Sequence, residues 1–117
     1  MELNRQQILV GFLENLWRIA DKNYQRRVWI EARGPECHSF DDAICDFFGD
    51  GEGILEKYRE FGLTDTQHKV LEIFTEKFQM FSDNNDFPEL FIDTSEWNEI
   101  TEMAKEVLKA FNYPPKK

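Results

Sequence analysis

Four side chains in this sequence have the chemistry to hold a zinc ion: Cys37, His38, Cys45 and His68. Thiolate and imidazole are preferred zinc ligands, and a structural site gathers four of them in a tetrahedron. Their spacing matches no zinc-site pattern, and adjacent Cys37 and His38 fit a tetrahedral shell poorly. The two cysteines therefore read as free thiols, since a disulfide belongs to an oxidising compartment. Calcium is the second possibility. In the segment Asp46–Lys57, Asp46, Asp50 and Gly51 fall on the first, fifth and sixth positions of an EF-hand loop. Phe48 stands at the third and Lys57 at the twelfth, where a bidentate Glu is required. Asp83-Asn84-Asn85-Asp86 is rich in oxygen as well, but Phe87 and Pro88 interrupt it, and it reads as a turn with Asx caps. No metal and no other cofactor is expected.

Catalytic readings fare no better. Asp41 and Asp42 are paired carboxylates, but neighbours on a helix point in different directions. Acid–base work needs one member shifted by burial or by a close like charge. His68 follows Gln67 in a polar first turn, and His38 precedes a helix cap. Both read as surface or capping histidines, and neither cysteine sits in a nucleophile setting. Gly49–Gly53 is rich in glycine, but Asp50 and Glu52 would repel a phosphate. The chain is not expected to be an enzyme.

What the residue types do offer is charge. Phe40–Gly53 carries Asp41, Asp42, Asp46, Asp50 and Glu52 with no base, interleaved with Phe40, Ile44, Phe47 and Phe48. From Glu31 to Asp65 there are ten acids and three bases (Arg33, Lys57, Arg59), so most of the net −9 sits in one third of the chain. Concentrated negative charge repels itself and lowers stability, but it steers and orients a cationic partner. The candidate partner-binding residues are therefore Asp41, Asp42, Asp46, Asp50 and Glu52, with Phe47 and Phe48. Adjacent helical residues cannot both face one core seam squarely. One of the two phenylalanines is thus expected at the surface, inside a charged rim, as in an interface hot spot.

These residues need a helical frame, and the apolar spacing supplies one. Asn4 with Gln7 resembles a capping box, and Leu9, Leu13, Leu16 and Ala20 follow it at the 3.6 period, with Phe12 and Trp17 beside them. Asn23 is placed to cap a second helix over 24–32, although Arg27-Val28-Trp29-Ile30 reads equally as a strand. Gly34-Pro35 ends it in either case. Ser39 with Asp42 starts a third helix, which Gly49, Gly51 and Gly53 are expected to break. A short fourth helix over about 54–61 then stops at Gly62. Thr64 with Gln67 caps a long helix striped by Val70, Leu71, Phe74, Phe78 and Phe81. After a polar turn at 82–88, Phe87, Leu90, Phe91 and Ile92 are expected to be pinned on the core. Asp93 with Glu96 starts a last helix buried through Trp97, Ile100, Ala104, Val107, Leu108 and Phe111, and Pro114-Pro115 end it.

The expectation is one all-α domain over 1–117, a single compact unit of five to seven helices. A chain of 117 residues with 41% hydrophobic residues and eleven phenylalanines can fill one core. No apolar run approaches the ~20 residues of a membrane span, and the N-terminus lacks a signal-peptide pattern, so a cytoplasmic setting is expected. The acidic balance argues against direct nucleic-acid binding, which uses clustered Lys and Arg.

One further likeness bears on function. The residues Arg27-Val28-Trp29, Gly34-Pro35-Glu36, Phe40-Asp41-Asp42, Cys45-Asp46-Phe47-Phe48, Asp50-Gly51, Tyr58 and Phe61-Gly62-Leu63-Thr64 resemble bacterial immunity proteins of contact-dependent growth-inhibition and related polymorphic toxin systems. Phe81-Ser82-Asp83, Phe91-Ile92-Asp93, Glu96-Trp97 and Met103-Ala104-Lys105 continue the resemblance, which spans about Arg27 to Phe111. It implies a protein of the toxin producer's cytoplasm that binds one toxin domain, often a nuclease, and neutralises it. A nuclease surface is basic, which agrees with the charge of this chain. The alternative is an acidic adaptor or regulatory subunit that binds a basic cellular protein.

Overall fold

The computed structural model describes residues 4–35 and 38–113. Of these, 76% are helical and none lies in a strand, so the chain is all-α. Helix α1 spans Arg5–Ala20, α2 Lys22–Tyr24, α3 Phe40–Glu56, α4 Asp65–Asn84, α5 Pro88–Phe91 and α6 Ser95–Ala110. A π-helix, Gln25–Ile30, continues α2.

Local hydrogen bonding sets most of the starts. The Gln7 amide donates to Asn4 Oδ1 at 2.8 Å, and the Asn4 amide donates back to Gln7 Oε1. Ser39 with Asp42, and Thr64 with Gln67, close the same reciprocal box. Each box satisfies two amides that a helix N-terminus leaves without partners. Two caps differ from expectation. Asp21, not Asn23, accepts from the Tyr24 amide, and Thr94, not Asp93, accepts from the Trp97 amide. Asp93 instead pairs with Arg26.

The segment 27–30 is helical, and no strand among the described residues stands ready to pair with it. Its wider turn is marked by the Glu31 amide donating to the Arg26 carbonyl five residues back. Buried Gln25 holds this turn in place. Its Nε2 donates to the carbonyls of Arg18 and Ile19, and its Oε1 accepts from Trp97 Nε1 at 2.8 Å. One amide thereby caps the end of α1 and anchors α6. Ala32, at φ 53°, ends the segment in the left-handed region.

The three glycines do not break α3. It runs through Gly49, Gly51 and Gly53 to Glu56, so the separate helix expected over 54–61 is a continuation followed by turns. A helix-interior glycine costs only about 1 kcal/mol, and the buried face of Phe40, Ala43, Phe47 and Ile54 outweighs that. Gly51 is favoured by packing: a Cβ there would lie 3.2 Å from Phe12 Cε1, closer than ordinary van der Waals contact. Gly62, at φ +80°, makes the turn into α4.

Helix α1 lies against α3 and α6, and α4 lies against α6 and α3. One core joins them, with Phe12, Phe47, Phe74, Phe78 and Trp97 fully buried. Phe40 at the start of α3 touches Phe91 of α5 (ring centroids 4.8 Å apart) and Trp97 of α6. The pinned segment is half as expected: Phe91 and Ile92 are buried, whereas Phe87 and Leu90 are exposed. The expected stop at Pro114-Pro115 lies outside the described residues. No helix among those described is long and apolar enough to cross a membrane.

Candidate protein-binding face

The acidic face is a property of α3. Its core-facing residues recur at helical spacing, which turns the remaining positions outward. Asp41, Asp42, Asp46, Asp50, Glu52 and Glu56 are all exposed, with Cys45 and Gly49 among them. The structure thus brings all five candidate carboxylates onto one solvent-facing surface. Asp42 has a second duty, because its Oδ2 accepts from the Ser39 amide and hydroxyl.

No base on α3 balances these charges, and no ion pair among the described residues includes an α3 carboxylate. The helix dipole favours Asp41 and Asp42 in the first turn. It disfavours Glu52 and Glu56 near the C-terminus, where the carbonyl end is already negative. Gly49 and Gly53 add to the same picture: a Cβ at either would meet nothing within 4 Å, so core packing does not require glycine there. This helix therefore carries several features that lower its own stability.

Phe47 does not belong to this face. It shares the inward side of α3 with Ala43, Gly51 and Ile54 and is fully buried, with its ring against Phe12, Phe74 and Phe78. Phe48 is half-buried, stacked on Phe78 with centroids 5.6 Å apart. The anticipated aromatic hot spot within the acidic stretch is therefore absent in the case of Phe47 and only partly presented by Phe48.

The metal-ligating candidates are dispersed. Among the described residues no three His, Cys, Asp or Glu side chains are grouped to hold an ion. Cys45 is free and exposed, and Cys37 lies outside the described residues. The His68 ring packs on Tyr58, centroids 4.1 Å apart. Asp46–Lys57 is almost wholly helix, not a cation loop. In the Asp83–Asp86 turn, Asn84 and Asn85 donate to the Met80 and Phe81 carbonyls and so cap α4.

His38 has an internal role. Trp29 Nε1 donates to its Nδ1 at 3.1 Å, which fixes the neutral imidazole with the proton on Nε2. That Nε2 is buried with no hydrogen-bond partner among the described residues. Burial, and then the nearby Arg18 charge, hold the imidazole below its ordinary value, while Asp42 and Asp46 push the other way.

A second acidic stretch was hidden in the sequence, with three of its acids ion-paired in the fold: Asp93 with Arg26, Glu99 with Lys77 and Glu102 with Lys105. From Phe78 to Ala104 there are seven acids and no base. Lys69, Lys77, Lys105 and Lys109 flank this run and mask it in any broader count. A search for the longest base-free stretches would have found it beside 34–56.

No family model matches the chain, and comparisons with curated proteins and with solved structures find no similar protein.

Proposed function

We propose that this chain is an immunity protein, which binds a basic toxin domain such as a nuclease and neutralises it through the acidic surface of α3. The observation that supports this most is the set of unpaired carboxylates along one exposed helix face. Charges kept at a cost to the fold, without internal counterions, suit a partner that supplies the counterions. Gly49 and Gly53 add to this, because a helix surface without side chains lets a partner's backbone approach closely. The reading is of a binder rather than a catalyst: Trp29 occupies His38, and His68 packs on Tyr58.

Co-expression with a candidate toxin domain encoded beside this gene tests the proposal. Cells should grow, and the two proteins should purify together. An α3 variant with Asp41, Asp46 and Asp50 changed to Asn and Glu52 to Gln should lose protection while keeping its helical spectrum. Asp42 is left intact in it because it caps the helix. An adaptor for a cellular protein would give no protection with either form, and that outcome contradicts the proposal.

A further inference from the structure

The α3 face has charge but little exposed apolar surface, whereas a long-lived protein complex needs buried apolar anchors. The three most exposed large apolar side chains among the described residues lie close together in sequence elsewhere. Leu90 is 74% exposed, Met80 67% and Phe87 58%; the next, Ile73, is 48%. Phe87 and Leu90 sit at the corner from α4 into α5, and Met80 lies about one turn before it on α4. Phe87 and Leu90 bracket one helical turn, in which the Leu90 amide donates to the Phe87 carbonyl at 2.9 Å. Met80 borders a hollow of about 260 Å³ between α4 and α6, whose wall includes Glu96, Glu99 and Lys77, the last paired with Glu99.

None of these side chains is needed to seat the corner. Pro88 and Phe91 are the buried residues of α5, and Asn84 and Asn85 close α4. The corner also joins the acidic helix, since Phe91 packs on Phe40 immediately before Asp41.

We propose that Met80, Phe87 and Leu90 form the apolar anchor of a docking surface for a basic protein. The charge around them selects that occupant. Asp83, Asp86 and Glu89 are interspersed with them along the chain and exposed, and of the bases that reach this run, Lys77 is paired with Glu99 and Arg26 with Asp93. A second copy of this chain, with net charge −9, would set acid against acid. Nucleic acid and anionic membranes would meet the same repulsion. A Lys- and Arg-bearing surface with apolar side chains among its charges satisfies both the knob and its rim. This inference rests on the proposed binding role and locates the part of it that sets the lifetime of the complex.

The test compares three proteins against the neighbouring toxin domain: wild type, the α3-neutralised variant, and Met80→Gln/Phe87→Ser/Leu90→Gln. All three substitutions replace exposed side chains, so melting should stay near wild type. The triple variant should dissociate about thirtyfold faster or more, with association rate and salt dependence little changed. Wild-type dissociation in the triple variant, alongside weakened binding by the α3 variant, would overturn this inference and leave the proposed function standing. If the toxin domain binds none of the proteins, the proposed function falls. The corner is then judged with a short amphipathic peptide, lysine and arginine on one face and leucine and phenylalanine on the other. Amide shifts of wild type clustered at 80–93, and lost in the triple variant, would support it. No shifts there, or equal shifts with a peptide of the same charge lacking apolar residues, would overturn it, as would self-association abolished by the triple variant.

Discussion

Alanine at Gly49 and Gly53 should stabilise this protein and weaken its partner binding at once, whereas alanine at Gly51 should destabilise it. Glycine in a helix interior is worse than alanine by roughly 0.5–1 kcal/mol. A Cβ at 49 or 53 meets nothing within 4 Å, so the whole propensity gain should be kept, about 1–2 kcal/mol for the pair. An unfolding entropy of about 2.1 cal/mol/K per residue gives roughly 0.25 kcal/mol/K for a chain of 117 residues. The double variant should therefore melt about 4–8 °C higher. At Gly51 the new Cβ would lie 3.2 Å from Phe12 Cε1. Phe12 is 1% exposed and packs on Phe47, so its ring can yield only by disturbing the core. Overpacking of about 1–3 kcal/mol outweighs the propensity gain and leaves a net loss of about 1 kcal/mol. Calorimetry of the three proteins separates these signs. The reasoning is refuted if Gly51→Ala melts above wild type, or if Gly49→Ala/Gly53→Ala does not. Raised melting with partner affinity unchanged would remove the functional reason for these two glycines.

Gln25→Leu keeps volume but takes the side-chain partner from the Trp97 indole N–H and the Ile19 carbonyl, while the Arg18 carbonyl keeps the Asp21 amide. Stability should fall by roughly 2–4 kcal/mol in urea titrations, and a loss below 1 kcal/mol would show that water replaces the amide. Phe47→Ala should cost about 3–5 kcal/mol as a fully buried core ring, and half-buried Phe48→Ala clearly less. Equal losses would contradict the assignment of Phe47 alone to the inner face. His38 should make stability depend on pH. Its folded-state value is lowered, so the unfolded chain takes up a proton first, near the ordinary 6.5, and stability falls as pH drops through that value toward the folded one. Melts between pH 8 and 5 should slope more steeply in wild type than in His38→Gln; matching slopes would refute the Trp29–His38 role.

The parts of the fold legible in the sequence were those set by local bonding. A capping box needs only residues three apart, so Asn4, Ser39 and Thr64 announced three helix starts correctly. The acid face was legible for the same reason, because helical periodicity alone turns Asp41, Asp46, Asp50 and Glu52 outward once Phe40, Ala43, Phe47 and Ile54 turn inward. What depended on tertiary contacts was not legible. Gly49, Gly51 and Gly53 carry a breaking signal of about 1 kcal/mol each, and packing against α1 overrides it. The Gln25 side chain that stabilises the π-turn finds its partners on α1 and α6, so nothing local distinguished 27–30 from a strand. Phe87 and Leu90 are as apolar as buried Phe91. Only the orientation of α5 on Phe40 decides which ring is covered.

The most direct test of the central claim is the association rate with a candidate toxin domain as a function of ionic strength. Stopped-flow mixing should give a fast wild-type rate that falls steeply with added salt. With Asp41, Asp46 and Asp50 changed to Asn and Glu52 to Gln, association should be about tenfold slower or more at low salt, and its salt dependence should flatten. A variant that binds as fast as wild type with the same salt slope would show that the α3 carboxylates are only a solvated face and would contradict the proposed role.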